Sequence, residues 1–97
     1  MTKELKDALH NLIDACVEFK EHGYDVFIDY SPHCTSKCEL GCFDIYYYDD
    51  GKWHTENDKK EYHAVVNTTV YCELDSLNRA LVKMKELAAS FGFELGV

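Results

Sequence analysis

Apolar residues recur at steps of three and four from Thr2 to about His22. Leu5, Ala8, Leu9, Leu12, Ile13, Cys16 and Val17 draw one stripe along a helix, and Lys3, Lys6, Asp7, Asp14, Glu18 and Glu21 lie off it. Thr2 supplies an N-cap, and Gly23 is a stop just past the last turn. The period then changes to two. From Tyr24 to Tyr30 the chain sets Val26, Ile28 and Tyr30 against Asp25, Phe27 and Asp29. From Cys42 to Tyr48 it sets Phe43, Ile45 and Tyr47 against Asp44, Tyr46 and Tyr48. Tyr62 to Tyr71, rich in Val, Thr and Tyr, reads as a third strand. Asp49-Asp50-Gly51 is a turn, Trp53-His54 extends a strand, and Thr55 to Glu61 forms a polar hairpin tip. Helical spacing returns with Leu77, Ala80, Leu81, Met84, Leu87, Ala88 and Phe91, capped by Asp75 or Ser76 and ended by Gly92. Phe93-Glu94-Leu95 fits either a short strand or an ordered tail.

Two amphipathic helices flanking three strands bury their stripes on one sheet face. The expected fold is therefore a two-layer αβββα domain of the α+β class. A three-stranded antiparallel sheet carries both helices on one side, and residues 1–97 form a single domain.

Charge narrows the partners. Asp plus Glu number 18 against 10 for Lys plus Arg, a formal net charge of −8. Nucleic acid and anionic membranes both call for a basic surplus, so neither is expected as a direct partner. No apolar run approaches the roughly 20 residues of a membrane span. The first residues resemble no secretory signal, which makes a reducing cytoplasm the expected compartment.

Five cysteines stand in 97 residues. Cys16 falls in the first helix's stripe and reads as a small buried hydrophobe. The other four converge if the third strand returns antiparallel to the second. Cys34 and Cys38 lie in the loop between the first two strands, Cys42 opens the second, and Cys72 follows the third. Four thiolates at about 2.3 Å around one ion make a structural zinc site. The spacing C-x₃-C-x₃-C departs from the usual C-x₂-C knuckle and from iron–sulfur patterns. Zinc therefore stands beside free thiols, a disulfide and, last, a reactive thiol. No phosphate-binding glycine loop, H-E-x-x-H or G-x-S-x-G occurs, and the histidines are scattered. No catalytic residue is assigned.

The face turned away from the helices carries Asp25, Phe27, Asp29, Asp44, Tyr46 and Tyr48. Aromatics among carboxylates on an open surface suit a protein interface, with the charge steering a basic partner. A solvated face or a sheet-on-sheet homodimer is the plainer account.

The αβββα order is similar to that of the double-stranded RNA-binding domain. That family grips phosphates with a basic cluster at the start of its second helix, where this chain reads Glu73-Leu74-Asp75, so its function does not carry over. Size, acidity, tyrosine content and element order also resemble the small phage-encoded inhibitors, anti-CRISPR proteins among them. Several of these occupy a host protein's nucleic-acid cleft with acidic side chains. The resemblance implies a non-enzymatic inhibitor that covers a basic, nucleic-acid-binding surface by charge mimicry, and it transfers no individual residue. The alternatives are a zinc-stabilised structural or assembly domain and, third, a thiol-based redox protein using Cys34, Cys38 or Cys42.

Overall fold

Thr2 starts the first helix by accepting a hydrogen bond from Leu5 N on its Oγ1 at 3.2 Å. Helix α1 then runs Lys3–Glu21. The structure, a computed structural model, describes residues 2–31, 41–54, 62–65, 70–71 and 73–97. After α1 come β1 (Val26–Ser31), β2 (Cys42–Tyr48), β3 (Tyr62–Ala64), β4 (Val70–Tyr71) and α2 (Leu74–Ser90). This is the expected α+β order, with two helices and an antiparallel sheet.

The buried stripe of α1 is Ala8, Leu12, Ala15 and Phe19. That is rotated from the expected stripe: Ile13 and Val17 are 48% and 51% exposed. Helix α2 buries Leu77, Ala80, Met84 and Ala88, and these join the α1 stripe and Ile45 of β2 in one core. Small alanines between Leu12, Phe19, Leu77 and Met84 let elements approach closely while the large side chains fill the space.

Helix α2 begins one residue before its expected cap. Glu73 takes the N-cap position with extended backbone and makes no side-chain cap bond, so neither Asp75 nor Ser76 has that role. Beyond α2 the chain is an ordered tail. Phe93 N donates to Ala88 O at 3.1 Å and Gly96 N to Glu18 Oε1 at 2.6 Å, while Phe93, Leu95 and Val97 pack on the core.

Strand β1 pairs antiparallel with β2 from Val26↔Tyr47 to Ser31↔Cys42. The other edge of β2 receives β3 (Tyr46↔Ala64 to Tyr48↔Tyr62) and β4 (Cys42↔Tyr71, Phe43↔Val70). The expected third strand is thus two segments in one column. Two residues separate Phe43 from Tyr46 on β2, whereas five separate Val70 from Ala64 on the returning chain. The two registers therefore differ by three residues, and no single regular register joins β3 and β4 along β2. Trp53-His54 lies outside any strand.

The turn after β2 forms at Asp49-Asp50. Gly51 N donates to Tyr48 O at 2.8 Å, and Lys52 N to Asp50 Oδ1 at 3.0 Å. Gly51 has φ +71°, and a Cβ there would stand 2.3 Å from Tyr24 Cδ1, so both the turn and the packed ring require glycine. Among the described residues no helix is long and apolar enough to cross a membrane.

Candidate binding face

Strand parity splits the sheet into two chemistries. Ile45 lies in the core with Val26 and Ile28 packed against it, which fixes the inner face. The outer positions are then Phe27, Asp29, Asp44, Tyr46, Tyr48, Tyr62 and Ala64, with Cys42 at the end of the row.

The β1–β2 register makes Phe27 and Tyr46 direct partners, and Asp29 and Asp44 the next pair on that face. The Phe27 and Tyr46 rings stack at 5.4 Å between centroids, and Tyr48 meets Phe27 edge-on at 6.1 Å. Tyr62, not among the residues expected here, lies 5.0 Å from Tyr46 and 6.5 Å from Tyr48 and is 64% exposed. Four rings thus form one continuous plate. Ring pairs at these spacings add attraction beyond the area they bury.

The two carboxylates beside that plate are exposed, and among the described residues neither has a cationic partner. Burial holds the Tyr46 hydroxyl above the ordinary phenol range; Asp29, Tyr48, Tyr62 and Asp44 push the same way. The plate therefore sits in a negative surround.

Asp25 is placed differently from Asp29 and Asp44. Its Oδ1 accepts from Lys20 Nζ at 3.3 Å, its Oδ2 accepts from Trp53 N at 3.1 Å, and its own N–H donates to Gly51 O at 2.7 Å. Its carboxylate pins the turn after β2 to the start of β1. Trp53, anchored by that bond, is 57% exposed.

At one side of the plate, His54 Nε2 lies 3.0 and 2.8 Å from the two Asp50 oxygens, and its ring meets Tyr48 edge-on at 4.8 Å. The Tyr48 hydroxyl donates to His54 O at 3.4 Å. His63 Nε2 stands 2.5 Å from Asp49 Oδ1. The Asp50 carboxylate thus holds His54 beside Tyr48, whereas the His63–Asp49 contact is close without hydrogen-bond geometry, and His63 Nε2 is left without a hydrogen-bond partner among the described residues.

On the opposite side of the sheet a second aromatic group closes the end of the core. Tyr24 stacks on Phe91 at 4.4 Å, Phe19 meets Phe93 at 5.1 Å, and Lys52 Nζ lies 5.4 Å from the Tyr24 centroid.

Of the expected zinc ligands, Cys34, Cys38 and Cys72 lie outside the described residues. Cys42 is buried at the start of β2, with Tyr71 as its cross-strand partner. Among the described residues no three His, Cys, Asp or Glu side chains gather in a metal-binding group. Cys16 is packed beside the core, and burial pushes its thiol up to about 11.

No family model, curated protein or solved structure matches this chain.

Proposed function

We propose that this chain is a non-enzymatic binding protein whose outer sheet face occupies a basic surface of another protein, as a charge-mimicking inhibitor of a nucleic-acid-binding partner. The single observation that supports it is the register: it sets the contacting rings of Phe27, Tyr46, Tyr48 and Tyr62 beside the paired carboxylates Asp29 and Asp44. The rings supply contact area at low entropic cost, and the carboxylates supply phosphate-like charge. A net charge of −8 adds long-range attraction towards a basic groove.

The test is capture on immobilised protein from a bacterial lysate, with the Asp29→Lys/Asp44→Lys variant run in parallel. The expected partner is a nucleic-acid-binding protein retained by the wild-type chain, released by added duplex DNA and lost with the variant. A partner held equally by both chains, or indifferent to DNA, overturns the reading.

A second, structural reading concerns the cysteines: one zinc ion held by Cys34, Cys38, Cys42 and Cys72, closing the sheet end. The β2–β4 pairing favours it, because Tyr71 opposite Cys42 brings the chain to within one residue of Cys72 beside a buried cysteine. Such a site would add folding free energy and would leave the aromatic face available.

A further inference from the structure

We infer that the outer face recognises arginine side chains of its partner, with the guanidinium held between Asp29 and Asp44 and its stem laid over the Phe27–Tyr46 rings. The inference rests on the binding role proposed above and names the chemistry that would carry it.

The two aromatic groups of this fold differ in one respect. The inner group has its own cation, the Lys52 ammonium over Tyr24 at 5.4 Å. The outer group has two carboxylates and, among the described residues, no cation against them. Rings with a negative rim and, among the described residues, no cation against it suit a cation from outside.

Geometry selects arginine over lysine. Directly opposed residues on one face have Cβ atoms about 4.5–5.5 Å apart, so the Asp29 and Asp44 carboxylates can accept from the two sides of one planar fork. The Phe27–Tyr46 pair lies two residues along the strands, about 6.8 Å away, a separation that an extended arginine stem spans. The guanidinium is also weakly hydrated and stacks on rings, whereas an ammonium is a strongly hydrated point charge.

A second copy of the chain is a poor source of this group. Arg79 is the chain's one arginine, its Nε donates to Asp75 O at 3.4 Å on α2, and two copies at −8 each repel. The occupant is a basic segment of a different protein.

Two synthetic peptides of equal length and charge, one bearing arginines and one lysines, test this by amide NMR titration of the full chain. The arginine peptide is expected to bind at least about fivefold more tightly, reflecting stacking and bidentate pairing. Shifts should centre on Phe27, Asp29, Asp44 and Tyr46. Asp29→Asn/Asp44→Asn and Tyr46→Leu should each lose the preference, while Tyr46→Phe keeps it; unchanged amide spectra away from the face certify that the variants fold. Equal binding of both peptides overturns the arginine inference and leaves the basic-partner reading standing. Shifts centred elsewhere overturn it too. If neither peptide binds while the captured partner still depends on Asp29 and Asp44, arginine recognition alone fails; if that dependence is also missing, both readings fall.

Discussion

Asp29 and Asp44 are direct cross-strand partners on the open face of the sheet, two like charges with no cation beside them among the described residues. Like charges directly opposite destabilise a sheet. Neutralising one should therefore stabilise the free protein. Asp44→Asn is expected to add about 0.2–1 kcal/mol at neutral pH and low ionic strength, a rise of a few degrees in Tm. The gain should shrink as salt screens the pair. Thermal melts of both chains across salt concentration check this. A destabilised Asp44→Asn at low salt would show that the carboxylate has a structural partner.

The turn after β2 depends on Gly51, which combines φ +71° with Tyr24 Cδ1 standing 2.3 Å from where a Cβ would lie. Gly51→Ala must both hold a left-handed backbone and move Tyr24, whose ring stacks on Phe91 at 4.4 Å. The expected loss is at least about 1–3 kcal/mol from the backbone strain, with displaced ring packing added to it. Gly92 makes the internal comparison, since φ is +93° but nothing lies within 4 Å of an added Cβ. Gly92→Ala should cost about 1–2 kcal/mol, the backbone part only. Urea denaturation of the two variants separates strain from crowding. Equal losses would mean that Tyr24 yields freely.

The zinc reading is tested on purified, reduced protein. If Cys34, Cys38, Cys42 and Cys72 hold an ion, metal analysis finds about one zinc per chain and a chelator lowers Tm, because the site's affinity is also folding free energy. Cys38→Ser should lower both zinc content and Tm, whereas Cys16→Ser should leave the metal in place, since Cys16 packs beside the helical core. Zinc well below one per chain, with melting unchanged in chelator, would leave the cysteines as thiols.

The alternation of Phe27 and Asp29 against Val26 and Ile28 was enough to read the outer face of β1 and β2, because residue parity alone decides sides of a strand. Tyr62 escaped because its face depends on register with β2, and the stretch from Val65 to Thr69 has the same strand-forming composition whether it lies in a ladder or outside one. Asp25 shares the parity of Asp29 but meets Lys20 and Trp53 N, contacts set by where the turn folds back. On α1 the apolar residues cover more than half the circumference, so periodicity could not decide between Ile13 with Val17 and Ala15 with Phe19. Packing against α2 and Ile45 chose the second pair. Glu73 was unreadable as a cap because its side chain makes no cap bond.

Cys16 provides a prediction in the alkaline range. Burial raises its thiol from 9.0 to about 11, so the folded chain binds that proton more tightly than the unfolded chain. The associated stability is fully present below about pH 9 and is lost as pH rises towards about 11. The raised Tyr46 hydroxyl acts in the same direction. Two consequences can be measured. Since the thiolate is the nucleophile, a two-unit rise leaves roughly a hundredfold less of it at pH 8 than an unperturbed thiol would have, and alkylation of Cys16 in the native protein should be slower than in denaturant by at least that factor. Stability against urea should fall between pH 9 and pH 11, less steeply in Cys16→Ala, which has no thiol to ionise, and with a residual slope that Tyr46→Phe reduces further. Rapid native-state alkylation of Cys16 at pH 8, traced by peptide mass, would show a site open to solvent and remove the residue from the packed margin of the core.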